Sequence, residues 1–155
     1  MPSTCTRLAV SVMLLSAVAA TAQAQGQPSK GEQALKYRKA VYQAIAWNFG
    51  PMGAMAQGKI PYDAKEFEMR AQRVAALTPM LSESYSPESQ SVADSKAKPE
   101  LWSNRADFDA KMKTLVENSA TLATVSRGGD LAKSKAAFLD TANACKSCHD
   151  KYRAD

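Results

Sequence analysis

The sequence predicts an all-α protein folded as an antiparallel four-helix bundle. Three observations carry that prediction. Apolar residues recur at three- and four-residue spacing in four separate stretches. The 7 Gly and 7 Pro fall mostly outside those stretches, so the chain is not cut into many short strands. The first and last pairs of stretches are joined by short connections and the middle pair by a longer one, as in helices that run up and down side by side. At 155 residues, 45% hydrophobic and 23% charged, the chain has the material for one globular domain.

Residues 1–24 stand apart from this pattern. Arg7 and the amino terminus give a thin positive start, Leu8 to Ala20 is an apolar run, and Ala22-Gln23-Ala24 is a small-residue cleavage site. The run is shorter than the roughly 20 residues a membrane span needs, and no charged flank follows it. It is therefore expected to be a signal peptide cut after Ala24, with Ala20-Thr21-Ala22 as a second site. Residues 25–155 then form the bundle, exported to the periplasm and not held in a membrane. Cleavage removes Arg7 and no acid, lowering the formal charge of +5 by one. So mild a balance, with the two signs interleaved, provides no basic stripe for nucleic acid.

The first helix is predicted over Glu32 to about Gln57, with Leu35, Val41, Tyr42, Ile45, Phe49, Met52 and Ala56 inward. Gly50-Pro51 interrupts it and predicts a kink, and Gly58 is a C-terminal cap. Asp63 caps the second helix, with Glu66 three residues on and Phe67, Val74, Leu77 and Leu81 along one face. Residues 82–99 lack a period and form the one long connection, a kind of loop that often covers something. The third helix starts at Ser103 or Asn104 and carries Phe108, Met112, Leu115, Val116, Leu122 and Val125. Gly128-Gly129 ends it and Asp130 caps the fourth. In the fourth, Phe138, Ala142, Cys145, His149 and Tyr152 lie four, three, four and three apart, on one inward face.

Of the 3 Cys, Cys5 leaves with the signal peptide, so the exported chain keeps Cys145 and Cys148 in Cys145-Lys146-Ser147-Cys148-His149. Cys-x-x-Cys-His is the attachment signature of c-type haem. Two thiols three residues apart share one side of a helical turn, and each can add to a different vinyl group. The next residue then turns its imidazole to the iron as axial ligand. Covalently bound haem is thus expected near the C-terminus of the last helix. A redox dithiol would sit at a helix start, where the dipole lowers a thiol pKa, and zinc would want four ligands where this chain offers three. The 1 His is used by the motif, which excludes bis-histidine coordination and catalytic histidine elsewhere.

A C-terminal Cys-x-x-Cys-His in a helical chain resembles the class II c-type cytochromes, and within them the cytochrome c′ family. The resemblance extends over Lys36-Tyr37-Arg38, Asn48-Phe49-Gly50, Pro61-Tyr62-Asp63, Pro99-Glu100-Leu101-Trp102 and the run from Cys145 to Arg153. It implies that Arg38 pairs with a haem propionate, with Lys39 beside it, and that Arg153 lies on the proximal side near His149. Trp102 and Phe108 pack either near the haem or in the core. Low-spin members of the family place a Met one turn after the first-helix arginine; here Tyr42 stands there, four residues after Arg38. Met52 and Met55 lie about 15 Å or more farther along the helix. The resemblance therefore implies one haem c with five-coordinate iron, binding nitric oxide and carbon monoxide and cycling between ferric and ferrous. It also implies an unidentified periplasmic redox partner and a homodimer. The alternative is a six-coordinate, low-spin electron carrier. No acid, base or nucleophile is placed for catalysis, so an enzyme is not expected.

Overall fold

The computed structural model describes residues 27–154; the expected signal peptide and its cleavage site lie outside them. The elements are α1 (Lys30–Ala56), α2 (Ala64–Leu77), two 3-10 helices (Thr78–Ser84 and Pro87–Ser89), the single turn α3 (Glu100–Ser103), α4 (Arg105–Ser126) and α5 (Leu131–Tyr152). The long helices pack in the cyclic order α1, α2, α4, α5 and back to α1, which closes the bundle. Among the described residues the sole β pairing is one antiparallel bridge, Ala97 to Arg153. None of the helices searched is long and apolar enough to cross a membrane.

α1 begins earlier than its apolar period predicts, because Ser29 and Glu32 form a reciprocal capping box. Its far end closes as a Schellman motif: Gly58 N–H donates to Met55 O (3.0 Å), Lys59 N–H donates to Ala54 O (2.9 Å), and Gly58 has φ +69°. Pro51 lies inside α1, and the helix continues on both sides of it. Proline cannot bond the carbonyl four residues back, at Trp47. Arg70 of α2 takes that carbonyl instead, its Nη1 donating at 3.1 Å while its other nitrogens hold Glu66. A long-range partner thus replaces the bond that Pro51 removes.

Asp63 and Asp130 cap α2 and α5 as expected, accepting from Lys65 and Glu66 N–H and from Lys133 N–H. Asn104 occupies the cap position of α4 without capping it. Its amide donates to Glu100 O (3.2 Å), closing the end of the turn just before. The 82–99 connection is folded down over the bundle: Lys98 N–H donates to Tyr152 O (2.9 Å) and Ala154 N–H to Lys96 O (2.8 Å).

The core falls into two clusters. One gathers Met52, Met55, Phe67, Val74, Leu122 and Phe138; the other gathers Val41, Leu81, Tyr85, Phe108, Met112 and Tyr152. Thr78 and Ser119 share a buried 2.8 Å hydrogen bond linking the start of the first 3-10 helix to α4.

Candidate haem site

A cavity of about 450 Å³ is lined by residues from both clusters, among them Val74, Leu81, Met112 and Leu115. A second, of about 430 Å³, opens beneath the 82–99 connection. Both are within the range of small-molecule and cofactor sites. The two share Tyr42, Ala46, Cys148 and His149, so they form the halves of one slot. One wall is the last turns of α5 and the facing wall is α1.

On the α5 wall, Cys145 and Cys148 are free, half-buried thiols. Burial pushes the Cys145 thiol up and pushes Cys148 up to about 11. A dithiol redox centre needs the opposite shift, toward thiolate, so that alternative loses its chemistry. The His149 imidazole is pushed below its ordinary value, first by burial and then by the charge of Arg153. It is therefore neutral near pH 7 and able to ligate a metal. Among the described residues no three His, Cys, Asp or Glu side chains converge as a metal cage.

On the α1 wall, Tyr42 stands edge-on to His149, with ring centroids 6.3 Å apart and planes at 61°. Its hydroxyl shares a 3.1 Å hydrogen bond with that of Tyr85. Burial, then Tyr85, pushes the Tyr42 phenol well above its usual value. It stays protonated, and a protonated phenol is a poor iron ligand. Met52 and Met55 belong to the other core cluster and line neither half of the slot.

The second half of the slot is lined by Arg38, Lys39, Lys96 and Arg153 and by no carboxylate. Arg38 is 4% exposed. Its guanidinium donates to Ser84 O and to Ser95 Oγ, both at 3.1 Å, and lies 4.3 Å from the Tyr85 ring centroid. All three partners are neutral. A buried cation with no counter-ion among the described residues is costly, and an anion entering this half of the slot would relieve that cost. Lys39 is exposed at the same opening. Arg153 is exposed too, its N–H bonded to His149 O (3.0 Å), and its charge reaches the imidazole.

A planar, mostly apolar group with a carboxylate edge fits this slot: thiols and imidazole on one wall, apolar residues from both clusters around it, cations at one opening. Haem is such a group. Phe108 is fully buried and lines the second half, whereas Trp102 packs beside the cluster and donates its Nε1–H to Ser86 O (3.3 Å). The sequence reading did not single out Tyr85. Its signal is slight: one tyrosine in a polar stretch without a period.

Known proteins match this arrangement over most of the chain. The family model for cytochrome c′ matches residues 33–153. A cytochrome c′ from Alcaligenes xylosoxydans xylosoxydans is 34% identical over 127 residues, covering 82% of this chain and 98% of the relative. The solved cytochrome c prime from Shewanella frigidimarina superposes with a TM-score of 0.79 at 40% identity, over 83% of this chain and 100% of that one. A nitric oxide complex of a point variant of cytochrome c prime from Alcaligenes xylosoxidans superposes with a TM-score of 0.75 at 32% identity, over 83% of this chain and 99% of that one.

Proposed function

Because this chain belongs to the cytochrome c′ family, whose cofactor is covalent haem c, we propose that it is a periplasmic mono-haem cytochrome that binds nitric oxide and carbon monoxide at a five-coordinate iron. When bound, the haem would supply a redox-active iron able to take a diatomic ligand. Cys145 and Cys148, whose half-buried thiols line the slot, would hold the haem through two thioether bonds. His149 would hold the iron through its neutral imidazole. Arg38, with Lys39 beside it, receives the propionates. Arg153 adds to burial in holding the His149 imidazole below its ordinary value, and would lie on the proximal side.

The observation that carries the reading is Tyr42 in front of His149, where a six-coordinate carrier would need a ligand. A half-buried, protonated phenol would cover that face without bonding to iron. An incoming diatomic must push the ring aside, at a packing cost of about 1–3 kcal/mol by analogy with overpacked cores. Affinity should fall by roughly one to two orders of magnitude against an open pocket. Tyr42→Ala should therefore bind carbon monoxide tighter and faster while staying high-spin, and Tyr42→Met should turn low-spin and six-coordinate. A wild type already low-spin in the ferrous state would favour a dedicated electron carrier instead.

The same reading makes the protein a gas-binding and electron-transfer protein rather than an enzyme, reduced and oxidised by a periplasmic partner. A homodimer belongs to the proposal. It is supported by apolar side chains left exposed on α1, α2 and the turn after α2: Trp47 at 75%, with Tyr37, Met69 and Met80.

A further inference from the structure

The bond that holds Tyr42 comes from outside the bundle's helices. We propose that Tyr85 is a positioning residue, its hydroxyl tethering the Tyr42 ring before His149 and so setting how fast a diatomic ligand enters. This rests on Tyr42 acting as the gate. The two aromatic residues differ in how firmly they are held. Tyr85 is 7% exposed, and three separate groups fix it. The Arg38 guanidinium lies 4.3 Å from its ring centroid, Phe108 meets it edge-on at 4.8 Å, and its carbonyl accepts from Arg105 Nη1 at 2.7 Å. Tyr42, by contrast, is only half-buried between the two walls of the slot. Its 3.1 Å bond to Tyr85 is the one polar contact of its side chain among the described residues. The two part-buried hydroxyls, in a mostly apolar slot, satisfy each other, and displacement of Tyr42 leaves both without that partner. The connection between α2 and α4, anchored on Arg38, thereby controls access to the α1 wall.

A net hydrogen bond of ordinary strength corresponds to about a two- to tenfold change in rate when it is broken on the way to the transition state. The test compares four haem-loaded proteins by flash photolysis of their carbon monoxide complexes: wild type, Tyr42→Phe, Tyr85→Phe and the double variant. Each single change removes one hydroxyl and keeps the ring, so the Arg38 stack and the packing remain. Each should speed carbon monoxide association by about two- to tenfold, and the double variant should be no faster than either single one, since one bond is lost in all three. Additive effects would overturn the tether, because general loosening of the slot adds where loss of a shared bond does not. An unchanged rate in Tyr85→Phe while Tyr42→Ala is fast would also overturn it and leave the gate standing. If Tyr42→Ala is itself no faster than wild type, the gate fails and the tether with it.

Discussion

Arg38 and Tyr42 are one helical turn apart on α1, and each is explained by what it faces. Arg38 is a buried cation whose partners are a carbonyl, a hydroxyl and an aromatic face, all neutral. A propionate would complete it, and the positive charge would then disfavour ferric haem. Arg38→Leu should lower the midpoint potential by roughly 20–60 mV, given about 59 mV per tenfold change in a one-electron equilibrium and a charge contact worth about 1 kcal/mol. Potentiometric titration of both proteins checks this, and an unchanged potential with the fold intact would detach Arg38 from the propionate. The polar half of the site was legible because an arginine on an apolar stripe demands a reason. Tyr85 was not, because nothing local marks a tyrosine in a polar connection. It acquires meaning through Arg38, Phe108 and Tyr42, which are 47, 23 and 43 residues away.

At the scale of elements, local signals were legible and long-range substitutes were not. Gly58, Asp63 and Asp130 end and begin helices where turn and capping chemistry says they should. Pro51 reads as a kink within a continuing helix, and α1 does continue through it, Arg70 supplying a partner 23 residues away for the carbonyl Pro51 leaves free. The 82–99 connection shows no period, and its shape comes from contacts with α1 and the C-terminal end. Gly31 is one such contact: a Cβ there would lie 2.2 Å from Glu88 O, a backbone atom that cannot swing away. In an open helix, Gly→Ala gains about 1 kcal/mol. Here the overlap should win, and Gly31→Ala should destabilise the fold by about 1–3 kcal/mol net of that gain, measured by denaturant unfolding.

The end of α5 is tied by Asp107, which accepts from Tyr152 Oη (2.5 Å) and Lys151 Nζ (3.0 Å). Those bonds, Tyr152 foremost, hold the Asp107 carboxyl below its usual value. A carboxyl depressed in the folded state contributes stability that is complete above its unfolded pKa of about 3.9 and lost as pH falls through its folded value. The melting temperature of Asp107→Asn should therefore depend less steeply on pH below about 4 than that of wild type.

For the whole molecule, the architecture follows from four amphipathic helices closing on themselves, and the function follows from where that closure is incomplete. The two core clusters meet across a slot rather than in continuous packing. Haem c would fill that slot, so cofactor and core are parts of one structure. Cys-x-x-Cys-His on the last helix was enough to name the cofactor, because covalent attachment is written in adjacent residues. The proposed five-coordination rests on two helices, on Tyr42 facing His149. The measurement that tests this most directly is the optical spectrum of the ferrous holoprotein before and after carbon monoxide. A high-spin, five-coordinate spectrum that converts to a carbon monoxide complex is the predicted result. A low-spin ferrous spectrum that carbon monoxide leaves unchanged would contradict it.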